Sequence, residues 1–301
     1  MNLESEHITN NSTPNTYNFH AILQNALNKE VTVTASGFVT GGFINKTYWL
    51  ETSEGKLFLK LNNAAQFPDM LQKEARGLAL LQHTNTVSVP QVIAVGLFED
   101  LQYLVLAFIE KGYRNNTYWE TFARQIAGLH QVTNATFGLV ENNFIGSLPQ
   151  INTPEVDWLT FFIEQRLMVQ AQIALDKGLI DRWLVNKLEA LAYKLPSYID
   201  RVKPSLLHGD LWHGNYMINK DGNPMVIDPA VYFGCSEMEI AFTELFGRMD
   251  DRFYHAYFEQ NPSTEGYELR SDIYNLYPLL VHVNLFGQSY VSGIEQVLSR
   301  V

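Results

Sequence analysis

A single cysteine, Cys235, occurs in the 301 residues. One thiol excludes an intrachain disulfide and points to a reducing compartment. No apolar run approaches the roughly 18–20 residues that a membrane span requires. Residues 1–16 are polar, rich in Asn, Ser and Thr, and lack the apolar centre of a signal peptide. A soluble, cytoplasmic protein is the expectation. Basic residues are the minority charge, 21 Lys and Arg against 32 Asp and Glu, for a net charge of −11. That balance argues against general nucleic-acid binding, which depends on neutralising phosphates, and it is compatible with an amine-bearing partner. No His/Cys cluster has the spacing of a zinc site, and no internal repeat or low-complexity segment interrupts the chain. The hydrophobic content of 46% with 13% aromatics is that of a folded globular protein long enough for one large domain or two lobes.

The stretch most informative about chemistry is Leu206-Leu207-His208-Gly209-Asp210-Leu211-Trp212-His213-Gly214-Asn215, followed by Val226-Ile227-Asp228-Pro229. His-x-Asp, a later Asn, and a second Asp closing an apolar run occur in that order in the catalytic and metal-binding segments of kinases. Phosphoryl transfer needs one carboxylate to orient or deprotonate the attacking hydroxyl. It also needs oxygen ligands to hold Mg²⁺ against the phosphates of ATP. Asp210 suits the first task; Asn215 and Asp228 suit the second. Turn-forming Asp, Gly and Asn could equally make an ordinary loop. Against that, Tyr216-Met217-Ile218 and Met225-Val226-Ile227 read as strands, and Lys220-Asp221-Gly222-Asn223 between them reads as a hairpin turn. This puts Asp228 at a strand end facing Asp210 and Asn215. His208 is expected to brace the loop rather than take part in chemistry.

Upstream, Phe19, Ile22, Leu23 and Leu27 recur at helical spacing, with a stop near Asn28-Lys29. Val31 to Thr34 and Lys46 to Leu50 alternate as strands around Gly41-Gly42-Phe43. That turn either covers phosphates, since glycine lets backbone N–H groups approach closely, or is simply a hairpin. Lys60 lies among apolar residues in the strand Leu57 to Leu61, so it either finds an anionic partner or snorkels at a sheet edge. The candidate partner is Glu74, beside the apolar stripe Leu71, Ala75, Leu78 and Leu81 of a helix from Pro68 to His83; the alternative is a solvated surface glutamate. Val92 to Val95 and Leu101 to Leu106 complete five antiparallel strands, and Phe108 and Ile109 follow as a connector whose backbone is placed to meet adenine. Helical periodicity then covers Tyr118–Gln131, Val156–Leu175, Leu179–Leu195, Glu237–Gly247, Phe253–Glu259 and Asp272–Gln288, while Phe137 to Pro149 reads as a loop. His255 and His282 are expected to be packing histidines.

Together these segments resemble the fructosamine (ketosamine) kinases, a branch of the aminoglycoside-phosphotransferase-like kinases. The resemblance rests on Gly41-Gly42-Phe43-Ile44-Asn45, Phe58-Leu59-Lys60, Glu74-Ala75, Gly77-Leu78 and Leu148-Pro149-Gln150. It rests further on the Asp210 segment with its Leu211-Trp212, on Asp228-Pro229-Ala230-Val231-Tyr232 and on Thr243-Glu244-Leu245-Phe246-Gly247. It implies an α+β, two-lobed protein-kinase-like fold: an ATP-binding lobe over 1–107 with a five-stranded antiparallel sheet plus helix, and a mostly helical catalytic and substrate lobe over 108–301. It implies ATP and Mg²⁺ as cofactors, Gly41, Gly42 and Lys60 at the phosphates, and transfer to a sugar hydroxyl of a ketosamine, free or protein-bound, in deglycation repair. Trp212 and Tyr232 flank the site and either line a sugar-amine pocket or pack beneath the loop, while His213 beside them either narrows that pocket or adds a titrating group near it.

Departures accompany the likeness. Phe43 stands where many members have a cysteine, His213 where a small residue is common, and Ala107 where an acidic residue is frequent at the connector. The competing readings are a kinase for aminoglycosides or other small amines, and an inactive kinase-like scaffold that binds nucleotide.

Overall fold

The structure, a computed structural model, describes residues 17–40 and 44–301. The expected phosphate-covering glycines Gly41 and Gly42, and Phe43 beside them, lie outside the described residues. Five strands, β1 (Val33–Phe38), β2 (Lys46–Thr52), β3 (Gly55–Asn63), β4 (Val92–Phe98) and β5 (Leu101–Ala107), form one antiparallel sheet in the order β1-β2-β3-β5-β4. Helix α1 (Phe19–Leu27) starts where Asn18 accepts a bond from the Ala21 N–H and stops at Asn28, whose φ is 53°. Helix α2 (Met70–His83) follows β3.

Strand alternation sets the use of each face. Leu57, Leu59 and Leu61 of β3 pack under α1 with Phe19, Ile22, Leu23, Tyr103 and Val105. The intervening Phe58 turns to the opposite face, where Leu71, Ala75 and Leu78 of α2 meet Leu104 and Leu106. Lys60 shares the parity of Phe58, so it emerges beneath α2 on the central strand and not at a sheet edge. Arg76 on the outer side of α2 makes a two-point ion pair with Glu141, at 2.6 and 2.7 Å, tying the helix to the second half of the chain.

That half is mostly helical. Helix α3 (Tyr118–His130) packs against α8 (Asp251–Gln260). Between α3 and the next helices, the segment read as a loop contains a small hairpin, β6 (Asn143–Ile145) with β7 (Leu148–Gln150). Three residues per strand are too few for alternation to declare itself. The helix expected from Val156 starts at Trp158 because Asp157 caps it, accepting from the Thr160 N–H at 2.8 Å. It runs as α4 (Trp158–Phe162), a π-helical turn over Ile163–Met168, and α5 (Val169–Asp176). Helix α6 (Arg182–Lys194) is likewise delayed to its Asp181 cap.

Strand β8 (Ser205–Leu207) leads into the loop that carries Asp210 and Asn215, and the hairpin β9 (Tyr216–Ile218) with β10 (Pro224–Val226) follows as expected. An unexpected strand, β11 (Tyr232–Gly234), returns to pair with β8. Helices α7 (Ser236–Leu245), α9 (Tyr267–Phe286) and α10 (Val291–Leu298) complete the fold. Helix α9 begins before the expected Asp272 and carries Pro278 inside it, and α10 was not anticipated. Among the described residues no helix is long and apolar enough to cross a membrane.

Candidate active site

Pairing of β11 with β8, and of β10 with β9, brings the two ends of the motif face to face. Gly209 is obligatory at this crossing: its φ is +84°, and a Cβ there would meet the Ala230 carbonyl oxygen at 2.0 Å. The loop hangs from two buried side chains. His208 accepts from the Asp210 N–H through Nδ1 at 3.3 Å and donates from Nε2 to the Ile227 carbonyl at 2.9 Å. Those contacts require the neutral ring with its proton on Nε2. Burial agrees, holding the His208 pKa below the ordinary histidine value. The expected bracing role is therefore what the hydrogen bonds describe.

Glu239 on α7 is the second anchor, and sequence reasoning missed it. Its carboxylate accepts from the His208 N–H at 3.1 Å, the Gly209 N–H at 2.6 Å and His130 at 2.9 Å. Burial alone would raise its pKa, but the bond and charge of His130 and the remaining donors outweigh burial and hold it low. No local pattern marks it, because a helix glutamate between apolar neighbours reads the same whether it faces solvent or a loop.

Asn215 donates from Nδ2 to the Asp210 carbonyl at 2.9 Å and to Asp210 Oδ2 at 2.8 Å. This orients the aspartate and leaves the amide oxygen of Asn215 for a ligand. Desolvation, reinforced by the charges of Asp228 and Glu239 and opposed by the Asn215 bond, pushes Asp210 up to about 7. Asp228 follows β10 with φ +54°. Its Oδ1 lies 2.5 Å from Lys60 Nζ, which also lies 2.6 Å from Glu74 Oε1. Lys60 is 3% exposed. Burial alone would lower its pKa, yet the two carboxylates prevail and hold the ammonium firmly charged. Neither alternative for these residues survives: Lys60 does not snorkel and Glu74 is not a surface glutamate.

A cleft of about 650 Å³ opens onto this cluster. Lys60, Glu74, Asp210, Asn215 and Asp228 line one part, with Trp212 beside them. Phe246, His282, Leu285, Phe286 and Tyr290 line another. His282 is thus not merely a packing residue. Its ring centre lies 4.2 Å from Phe246, 5.3 Å from Phe286 and 5.1 Å from Tyr290, and its Nδ1–H donates to the Pro278 carbonyl at 2.8 Å. Of these residues the sequence marked Phe246, within the segment Thr243 to Gly247, and His282 only as a packing histidine.

Other expectations need correction. Tyr232 is 1% exposed, stacked by the Arg166 guanidinium at 4.0 Å, with its hydroxyl on Met238 sulfur; it packs beneath the loop rather than lining the cleft. His213 is exposed, edge-on to Trp212 at 4.6 Å, and is not part of the cleft wall. His255 is exposed because α8 buries Phe253, Tyr254, Ala256 and Tyr257 instead. Phe108 and Ile109 also lie outside the cleft wall: the Phe108 N–H reaches the Lys56 carbonyl at 3.4 Å and its ring lies under the Lys56 ammonium. Cys235 is buried and in no disulfide, its sulfur accepts from the Tyr274 hydroxyl at 3.4 Å, and burial pushes its thiol up to about 11.

The cluster suits a hard divalent cation. Its free donors are oxygens, the Asn215 amide and the second oxygen of Asp228, whose side chain is 47% exposed and lines the cleft. Among the described residues no three His, Cys, Asp or Glu side chains converge as a self-sufficient metal site. An ion here would complete its shell with phosphate oxygens and water, as nucleotide-bound magnesium does.

A family model described as fructosamine kinase matches residues 16–301. A Synechocystis protein named probable ketoamine kinase is 39% identical over 267 residues, 87% of this chain and 88% of that one. A protein-ribulosamine 3-kinase, chloroplastic, of Arabidopsis thaliana is 36% identical over 276 residues, covering 90% and 83%. The crystal structure of a Haemophilus somnus protein provisionally named fructosamine-3-kinase superposes with a TM-score of 0.84 at 31% identity, covering 93% of this chain and 95% of that one. With its kinase-like α+β fold and a match over nearly its whole length, the chain belongs to the fructosamine kinase family of phosphotransferases.

Proposed function

We propose that the protein transfers the γ-phosphoryl group of ATP to a sugar hydroxyl of a ketosamine, with residues 1–107 as the nucleotide lobe and 108–301 as the catalytic and acceptor lobe. The observation that carries the reading is the convergence of Lys60 and Asp228, 168 residues apart in sequence, at 2.5 Å in a cleft that also holds Asp210. Asp210, oriented by Asn215, accepts the proton of the attacking hydroxyl; a base poised near neutrality is what this step favours. Asn215 and Asp228 would hold Mg²⁺, which when bound neutralises charge on the transferring phosphoryl group. Lys60, tethered by Glu74, engages the phosphates and leaves Asp228 as the nucleotide enters. Adenine would extend past the wall of that cleft to the connector backbone at Ile109, the Phe108 N–H being already bonded to the Lys56 carbonyl.

The acceptor lies along Trp212, Phe246, His282 and Tyr290, whose faces suit both a sugar and its protonated amine. Among the described residues the only carboxylates in the cleft wall are Glu74, Asp210 and Asp228, and the phosphoryl machinery uses all three. A polycationic aminoglycoside would find no further anionic partner there, which favours an acceptor with a single amine. The relative named for ribulosamine makes ribulosyl-lysine the first compound to try, and breakdown of its phosphorylated product would constitute deglycation. An ATP-consumption assay over ribulosyl-lysine, fructosyl-lysine and aminoglycosides tests the reading. Turnover with ketosamines alone is expected; turnover with aminoglycosides alone would move the protein to another branch, and nucleotide binding with no acceptor would make it a scaffold.

A further inference from the structure

Behind the backbone that follows Asp228 lies a ladder of buried amides that the catalytic chemistry does not use. Gln150 at the end of β7 donates from Nε2 to the Ala230 carbonyl at 2.9 Å, and Asn143 donates from Nδ2 to the Val231 carbonyl at 2.8 Å. The Asn143 oxygen in turn accepts from Gln150 and from Asn152 Nδ2, each at 2.8 Å. Asn152 Oδ1 accepts from Arg166 Nη2 at 2.8 Å, and the Tyr277 hydroxyl donates to Gln150 Oε1 at 2.8 Å. Gln150, Asn152 and Arg166 are each at most 1% exposed.

The ladder has a direction, and Arg166 imposes it. A guanidinium has only donors, so Asn152 must present its oxygen to Arg166. Its nitrogen must then face Asn143, whose own nitrogen is thereby aimed at Val231. Among the described residues Arg166 has no carboxylate partner. Carbonyls of Ile151 and Gln165 and the faces of Tyr232 and Phe161 surround it instead. Its charge is therefore not cancelled locally but relayed, donor by donor, to two carbonyls next to the segment that carries Asp228. That segment is held in an uncommon backbone conformation, with Asp228 at φ +54° and a proline next in sequence. Left-handed backbone before proline persists only where the surroundings hold it.

We infer that Arg166, acting through Asn152, Asn143 and Gln150, is a positioning device that holds Asp228 in metal-binding geometry. The inference rests on the reading of Asp228 as a metal ligand. It also accounts for Leu148-Pro149-Gln150, a segment whose purpose the motif alone does not disclose: Gln150 supplies the donor that Ala230 requires.

Asn152→Asp separates positioning from mere stability. The carboxylate strengthens the partner of Arg166, which offsets the acceptor it sets against the Asn143 oxygen and the Glu141 carbonyl, so the melting temperature should hold. It cannot donate to Asn143, so the direction of the ladder is lost. Mn²⁺ binding to the ADP-loaded full-length protein, followed by electron paramagnetic resonance, is expected to weaken about tenfold or more, while metal-free ADP affinity stays the same. Unchanged Mn²⁺ affinity in a folded Asn152→Asp protein overturns the proposal. Should that variant not fold, Tyr277→Phe removes one hydroxyl and keeps the ring. It is expected to weaken Mn²⁺ about threefold, and no change there overturns the proposal equally. A wild-type protein that binds no Mn²⁺ with ADP would instead sink the assignment of Asp228 itself.

Discussion

The two parts of the cleft are built on different physical terms. Around Lys60, Glu74, Asp210, Asn215 and Asp228, nearly every polar side chain is held by directional bonds at 2.5–2.9 Å. Around Phe246, His282 and Tyr290, ring contacts at centre distances of 4.2–6.0 Å do most of the holding. Directional bonds fix atoms to within tenths of an ångström, as phosphoryl transfer demands. Ring packing tolerates exchange at modest cost. On the proposed reading, the difference teaches that the reaction is written into the first part and the choice of acceptor into the second.

The sharpest way to break this division is Asp210→Asn. Loss of the base is expected to lower kcat by roughly 10²–10⁴-fold, read by ATP consumption with a ketosamine. The same variant should melt at a higher temperature at pH 8. A carboxyl whose pKa is raised from about 3.8 to about 7 by folding favours the folded state only while protonated, and that contribution is lost as pH rises through 7. Asparagine removes the cost of the buried charge. An inactive but destabilised Asp210→Asn would contradict the electrostatic account.

Next in size is Lys60→Met, which strands Glu74 and Asp228 side by side. Removing one partner of a buried ion pair costs about 3–5 kcal/mol, measurable by urea unfolding. The partial exposure of Asp228 puts the expectation at the lower end. A smaller and graded effect is the pH profile of wild-type kcat/KM, which should fall about tenfold per unit below pH 7 as Asp210 takes up its proton. A flat profile down to pH 5 would remove Asp210 as the base.

The proposed acceptor wall should respond differently. Tyr290→Ala is expected to raise KM for the ketosamine about tenfold, the magnitude of one lost aromatic contact, while KM for ATP stays put. A parallel rise in both constants would show that the two parts of the cleft are not separable. His213→Ser sits at the bottom of the scale: with its ring outside the cleft wall, neither KM should move by more than about twofold, and stability should change by less than about 0.5 kcal/mol.

The motif residues were legible because chemistry restricts them to few types at short spacing. Asp210, Asn215 and Asp228 lie on one loop and one hairpin, and the turn at Lys220–Asn223 announced how they would fold back. Lys60 and Glu74 were legible by strand and helix periodicity, which placed one on an apolar strand and the other beside an apolar stripe. Trp212 and Tyr232 could not be separated by the same means. An aromatic beside a catalytic loop has the same local sequence whether it meets ligand or supports backbone; here Arg166, 66 residues earlier in sequence, decides that Tyr232 is support. Glu239, His130 and the amide ladder were hidden for a related reason, since each is an ordinary polar residue until its distant partner is known.

Local order, then, was settled by the sequence by itself: the main strands and helices, the oxygen-rich loop, and the four polar residues Lys60, Asp210, Asn215 and Asp228 to which the proposal gives roles. These depend on periodicity and side-chain chemistry, which act over a few neighbouring residues. Which aromatics face the cleft, which glutamate suspends the loop and which way the buried amides point were decided only when distant segments packed. Burial and hydrogen-bond direction are properties of surroundings, and no stretch of chain carries its surroundings with it.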